Sequence, residues 1–253
     1  MLNKAFADGS TREVIMVMPD SYTAFAGSMY SNSATTGDWE DFVAKELVTY
    51  IDGHYRTLAN VASRGLSGHS MGGYGAIKIG MRHPDVYSSV YVLSPCCMSA
   101  PNPQTAGRGG ARAEAIKTME DVAKADFGTK AQLASAAAWS PNPKNPPFYF
   151  DLPTKDGQYQ ADVGARWAAN APLAMVYQYI SNLKRLHALA VDVGEQDGLS
   201  RDVKIFDGIL TNFGVPHVYE TYQGDHTNHI SDRVETKVMP FFSKNLSFDQ
   251  PKR

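Results

Sequence analysis

The feature that most constrains this chain is a repeated alternation between short apolar runs and longer segments with helical spacing. "EVIMVMP" (Glu13–Pro19), "ASRGLSG", "SSVYVLSP", "ALAVDVG" (Ala188–Gly194) and "PHVYETYQG" read as strands. Between them, "DWEDFVAKELVTYIDGHY" places Trp39, Phe42, Val43, Leu47, Tyr50 and Ile51 at helical intervals, with Asp38 as the expected cap. "MGGYGAIKIGMRH" reads as a helix stopped by His83-Pro84. "SRDVKIFDGILTNFG" reads as one capped by Ser200 and stopped by Gly214, and "ISDRVETKVMPFFSKNL" as a last helix. Strands that are apolar without alternation are buried on both faces. Strands separated by helices run parallel. The expected class is therefore α/β, a mostly parallel sheet with helices on both faces.

A chain of 253 residues, 43% of them hydrophobic, can bury the core of one such domain. The expectation is a single α/β domain over residues 1–253. Residues 101–172 break the rhythm with the proline-rich, aromatic "SPNPKNPPFYFDLP". This region reads as a lid-like insertion, helical over about residues 110–125. A formal charge of −2 gives no reason to expect a nucleic-acid or anionic-membrane partner. No apolar run approaches the ~20 residues of a membrane helix. "MLNKAFADGS" lacks the layout of a secretory signal, so a cytoplasmic location is the default expectation. Cys96 and Cys97 are adjacent, provide no disulfide framework, and read as two small apolar residues at a strand end.

"GLSGHSMGGYGA" (Gly65–Ala76) holds the first chemical signal. Gly68-His69-Ser70-Met71-Gly72 fits G-x-S-x-G between an expected strand and an expected helix. In that setting a sharp turn lifts a serine hydroxyl clear of the backbone. A serine nucleophile needs a base, and the base needs an acid to orient it. Two later strands end in Gly194-Glu195-Gln196-Asp197 and Gly224-Asp225-His226. Carboxyl ends of strands are where such sheets gather their chemistry. The expected catalytic set is Ser70 as nucleophile, His226 as general base and Asp197 as its orienting acid. Glu195 and His229 are substitutes, and Asp192 sits inside its strand. His226, His229 and Asp225 supply too few ligands for a metal site, so no metal and no cofactor are expected. His69 reads as structural, shaping the turn, or as a neighbour of bound substrate. His54, His83, His187 and His217 read as surface or strand-end residues.

The pieces "VMPDSY", "AFAGSMYSNS", "WEDFVAKELVTYIDGHYRT", "GLSGHSMGGYGAIKIGMRHPDVYSSVYVLSP", "GEQDGL" and "GDHTNHI" occur in this order along nearly the whole chain. Together they resemble the putative-esterase family of α/β-hydrolases, which holds S-formylglutathione hydrolases, feruloyl and acetylxylan esterases, and mycolyltransferases. The resemblance implies hydrolysis of carboxylic esters or thioesters through an acyl-enzyme on Ser70, with the Met71 N–H as one oxyanion donor. It implies that Ser28 and Tyr30 border the substrate pocket. Two other readings share the same residues: an acyltransferase with an alcohol acceptor, and a non-catalytic remnant. Compared with the family pattern, the N-terminus looks shortened. A strand between the "VMPD" strand and the Ser70 strand is missing, and with it the loop expected to supply the second oxyanion donor. This leaves a secreted origin open. An unpaired strand edge also leads to the expectation of a homodimer. Aromatics Tyr30, Trp139, Phe148, Tyr149 and Phe150 either wall a phenolic pocket or pack among themselves.

Overall fold

The computed structural model describes Phe6 and residues 11–249, the side chains of 104–109 excepted. Its strands are β1 (Asn32–Ser33), β2 (Gly37–Asp38), β3 (Gly65–His69), β4 (Ser89–Leu93), β5 (Thr154–Lys155), β6 (Gln158–Tyr159), β7 (Ala188–Gly194) and β8 (Val218–Tyr222). Two compact units emerge. One comprises residues up to Met18, Glu46–Met98 and Val176 onward; the other comprises Pro19–Lys45 and Ser99–Met175.

The first unit contains a parallel sheet in the order β3-β4-β7-β8. Position in the sheet explains the composition of each strand. β4 is buried at all five residues and β7 at six of its seven, because both are flanked on each side. β3 and β8 are edges and stay partly exposed. Tyr91, Leu93 and Ala190 pack with Val238 and Phe242 of the last helical segment. The helix Met71–Arg82 lies against β3 and β4, and its Gly80 touches Val90 so closely that a Cβ there would press on the Val90 side chain. The expected helix "DWEDFVAKELVTYIDGHY" forms as Trp39–Asp41, a π-helical Phe42–Glu46 and Leu47–His54, and those expected after Ser70 and at Ser200 form as Met71–Arg82 and Ser200–Asn212, the last followed by Gly214 at φ +61°. Two expected caps differ. Asp38 makes no side-chain capping bond, and the residue before the helix Ser200–Asn212 is Leu199, which makes Ser200 the first helical residue.

The expected strand Glu13–Pro19 does not form. A strand is held by a neighbour's ladder, and β3 is paired only with β4 among the described residues. Without that ladder the apolar composition of the segment is not enough. Ile15 is 50% and Met18 80% exposed.

The second unit carries the antiparallel pairs β1–β2 and β5–β6 and the helices Pro103–Ala115, Met119–Lys124, Phe127–Trp139 and Ala161–Ala168. The insertion expected at 101–172 falls within it. Thr118 and Asp121 cap Met119–Lys124 reciprocally, and Asp126 caps Phe127–Trp139. Its aromatics pack among themselves: Phe25 meets Phe148 and Phe150 edge-on, and Trp139 meets Trp167 edge-on at 5.3 Å. Each indole N–H finds a hydroxyl, Trp139 on Ser31 and Trp167 on Ser140. The phenolic-pocket reading of Trp139 and Phe150 thus gives way to packing, since both are buried.

Candidate active site

Ser70 stands between β3 and the helix Met71–Arg82 with φ 56° and ψ −115°. This is a conformation that side-chain-bearing residues rarely hold, and it persists because the surroundings fix it. The Ser70 N–H donates to the Leu93 carbonyl at 3.0 Å. Its own carbonyl accepts from Tyr74 N–H at 2.9 Å and Cys96 N–H at 3.1 Å. The turn is tight enough that a Cβ on Gly68 would overlap the Gly72 carbonyl, which is why the motif has glycine at position 68. The Tyr74–Ser70 bond is the first of the helix, so the N–H groups of Met71, Gly72 and Gly73 precede it and point from the helix's positive end.

Asp197 follows β7 and His226 follows β8. The two loops are tied to each other: Gln196 N–H donates to the Gly224 carbonyl at 3.0 Å, and Gly224 N–H donates to Gln196 Oε1 at 2.6 Å. A Cβ on Gly194 would collide with the Gly224 carbonyl, so glycine permits this approach. Asp225 Oδ1 accepts from the N–H groups of Thr227 and Asn228 and braces the turn beyond His226. Those bonds hold its carboxyl below the usual range.

These supports bring three side chains into one line. His226 Nε2 lies 2.9 Å from Ser70 Oγ, and His226 Nδ1 lies 2.8 Å from Asp197 Oδ2. The Asp197 side chain is 2% exposed and that of His226 35%. Asp197 Oδ1 also accepts from Leu199 N–H at 2.9 Å. A carboxylate can only accept, so the imidazole proton sits on Nδ1 and Nε2 faces the Ser70 hydroxyl as an acceptor.

His69 lies against His226. Its Nε2 donates to the His226 carbonyl at 2.7 Å, and the two rings lie 4.6 Å apart. Burial pushes the His69 imidazole below its ordinary value, so it is neutral near pH 7. A neutral ring beside His226 adds no like charge when His226 takes up a proton. Ser28 is buried in the second unit, its hydroxyl accepting from Tyr30 N–H. The substitutes are otherwise engaged: Glu195 accepts from Gln223 and Thr221, and His229 packs edge-on against Tyr222. His217, expected at the surface or at a strand end, directly precedes β8; its side chain is 8% exposed and lies between Val215 O and Asp207.

One structural group has no motif to announce it. Asp192, wholly buried in β7, accepts from Arg233 at 2.9 and 2.7 Å and from Tyr91 OH at 2.8 Å. Arg233 also reaches Glu220 of β8 at 2.9 Å and stacks on Tyr222. Arg233 holds the Glu220 carboxyl down at about 2, whereas burial raises that of Asp192. The pair fastens the segment after His226 to β7 and β8. Arg233→Met would leave Asp192 buried without its counter-charge, a loss of about 3–5 kcal/mol. Urea unfolding should show it as a lower midpoint at unchanged slope; an unchanged midpoint would contradict the assignment.

The family model described as "Putative esterase" matches residues 4–232. S-formylglutathione hydrolase of Arabidopsis thaliana is 36% identical over 81 residues, 30% of this chain and 28% of that protein. An esterase of Mycobacterium tuberculosis is 33% identical over 82 residues, 31% of this chain and 17% of that one. The match thus spans less than a third of these relatives. Among solved structures, a ferulic acid esterase superposes with TM-score 0.64 at 21% identity, covering 97% of this chain and 76% of that one. That likeness bears on the fold, which is that of the α/β-hydrolases. With the family model extending over most of its length, the chain belongs to the putative-esterase family.

Proposed function

We propose that this protein is a serine esterase that cleaves carboxylic esters or thioesters through an acyl-enzyme on Ser70. The observation that carries the reading is the continuous relay from Ser70 Oγ through His226 to the buried Asp197 carboxylate. In this reading His226 Nε2 takes the Ser70 proton as Oγ attacks the ester carbonyl. The tetrahedral oxyanion develops beside the Met71 N–H, at the positive end of the helix Met71–Arg82. His226 then returns the proton to the departing alcohol or thiol. Water, deprotonated by the same ring, releases the acid. Asp197 keeps Nδ1 protonated and stabilises the imidazolium, and His69 fixes the His226 backbone while staying neutral. The family's esterases and the S-formylglutathione hydrolase relative support ester or thioester chemistry.

A fluorophosphonate probe tests the nucleophile directly, because it reacts only with a serine activated in this way. The folded protein should take one label, and digestion should place it on Ser70. A folded protein that stays unlabelled, or is labelled elsewhere, would overturn the reading.

A further inference from the structure

The two cysteines have no part in the relay, yet they sit directly behind it. Cys96 and Cys97 follow β4, each half-buried, with Sγ atoms 2.7 Å apart. That is inside ordinary van der Waals contact for two sulfurs and about 0.7 Å longer than a disulfide of ~2.05 Å. The backbone is already bent to bring them together: Cys97 holds φ 59° and Ser94 φ 40°, both in the left-handed region. The Cys96 N–H donates to the Ser70 carbonyl, one of the bonds that fixes the elbow.

From these contacts we propose that Cys96 and Cys97 are an oxidation site, closing a disulfide between neighbouring residues that loosens the Ser70 turn. A low-molecular-weight disulfide such as oxidised glutathione supplies the oxidising equivalents. The Cys96 thiolate attacks one of its sulfurs and expels one glutathione thiolate. Cys97 gives up its proton to solvent and attacks the Cys96 sulfur, expelling the second. Two protein thiols and one glutathione disulfide thus become one protein disulfide and two glutathiones. Adjacent Cα atoms are only about 3.8 Å apart across a trans peptide, under the ~4.4–6.8 Å of ordinary disulfides. The ring is therefore strained and easily reduced, as in a reversible switch rather than a structural bridge. Closing it resets ψ of Cys96 and φ of Cys97, and the accompanying shift of the Cys96 backbone lengthens the bond from its own N–H to the Ser70 carbonyl. This second half rests on the function proposed above.

The test treats the whole protein with oxidised glutathione and follows three quantities. The fragment from His83 to Arg108, released by trypsin, should have lost both thiol hydrogens and carry no glutathione. The protein should not form a disulfide-linked dimer. Fluorophosphonate labelling of Ser70 should slow about tenfold and recover with dithiothreitol, while a Cys96→Ala/Cys97→Ala variant labels at one rate throughout. A fragment that keeps glutathione, or a closed ring with unaltered labelling, overturns the proposal. If the reduced protein takes no label at all, the esterase reading fails. The fragment's mass then still decides the ring, and the exchange rate of the Cys96 amide hydrogen, expected to rise on oxidation, decides its effect on the turn.

Discussion

Replacing Ser70 with alanine is expected to lower kcat for p-nitrophenyl acetate by about 10⁴-fold or more, with the fold intact. The hydroxyl is the atom that forms the bond to the acyl carbon in the proposed chemistry, and removing it leaves only positioning and the helix end. Stability should hardly change. The Ser70 hydroxyl bonds to His226, and alanine keeps the Cβ that the turn already accommodates. The measurement is steady-state hydrolysis beside a circular dichroism melt. A variant that retains the full rate would show that some other group does the chemistry.

Asp197→Asn is expected to cost about 10⁴-fold in kcat, again with little change in stability. The reason lies in the number of acceptors. The Asp197 carboxylate uses both oxygens, Oδ1 on Leu199 N–H and Oδ2 on His226 Nδ1. Asparagine offers a single acceptor. If its oxygen stays on Leu199, its NH₂ faces Nδ1, and the imidazole must carry its proton on Nε2. The ring then points a donor at Ser70 and can no longer take the hydroxyl proton. Raising the pH should restore little of the rate, because the wrong tautomer, not a missing charge, is the defect. A loss smaller than about tenfold would place the orienting acid elsewhere.

Much of this site could be read from the chain because its parts lie at chain positions that the sheet dictates. Ser70 follows a strand of small residues, and Asp197 and His226 follow apolar ones. A parallel sheet delivers the ends of such strands to the same side. Gly68 could be read for a similar reason, since it marks a backbone approach that a Cβ would block. Partnership was harder to see. The segment Glu13–Pro19 has the composition of a strand, but composition says nothing about whether a neighbour is there to receive it. No motif marks Arg233, because its value depends on Asp192, 41 residues away and wholly buried. His69 reads from the sequence as shaping the turn or as a neighbour of substrate; its bond to the His226 carbonyl arises only when two loops distant in sequence meet. The contact between Cys96 and Cys97 depends on left-handed backbone angles that no cysteine announces.

Every hydrogen bond of the Ser70–His226–Asp197 relay lies inside one of the two compact units, the one that also contains the four-stranded sheet. The other unit is spliced into it as two stretches, Pro19–Lys45 and Ser99–Met175. For evolution, and for a protein engineer, this separates two kinds of change. The 19–45 and 99–175 stretches can drift, lengthen or be exchanged between relatives without rewriting a residue of the relay. A library confined to those stretches would therefore leave every residue of the relay in place.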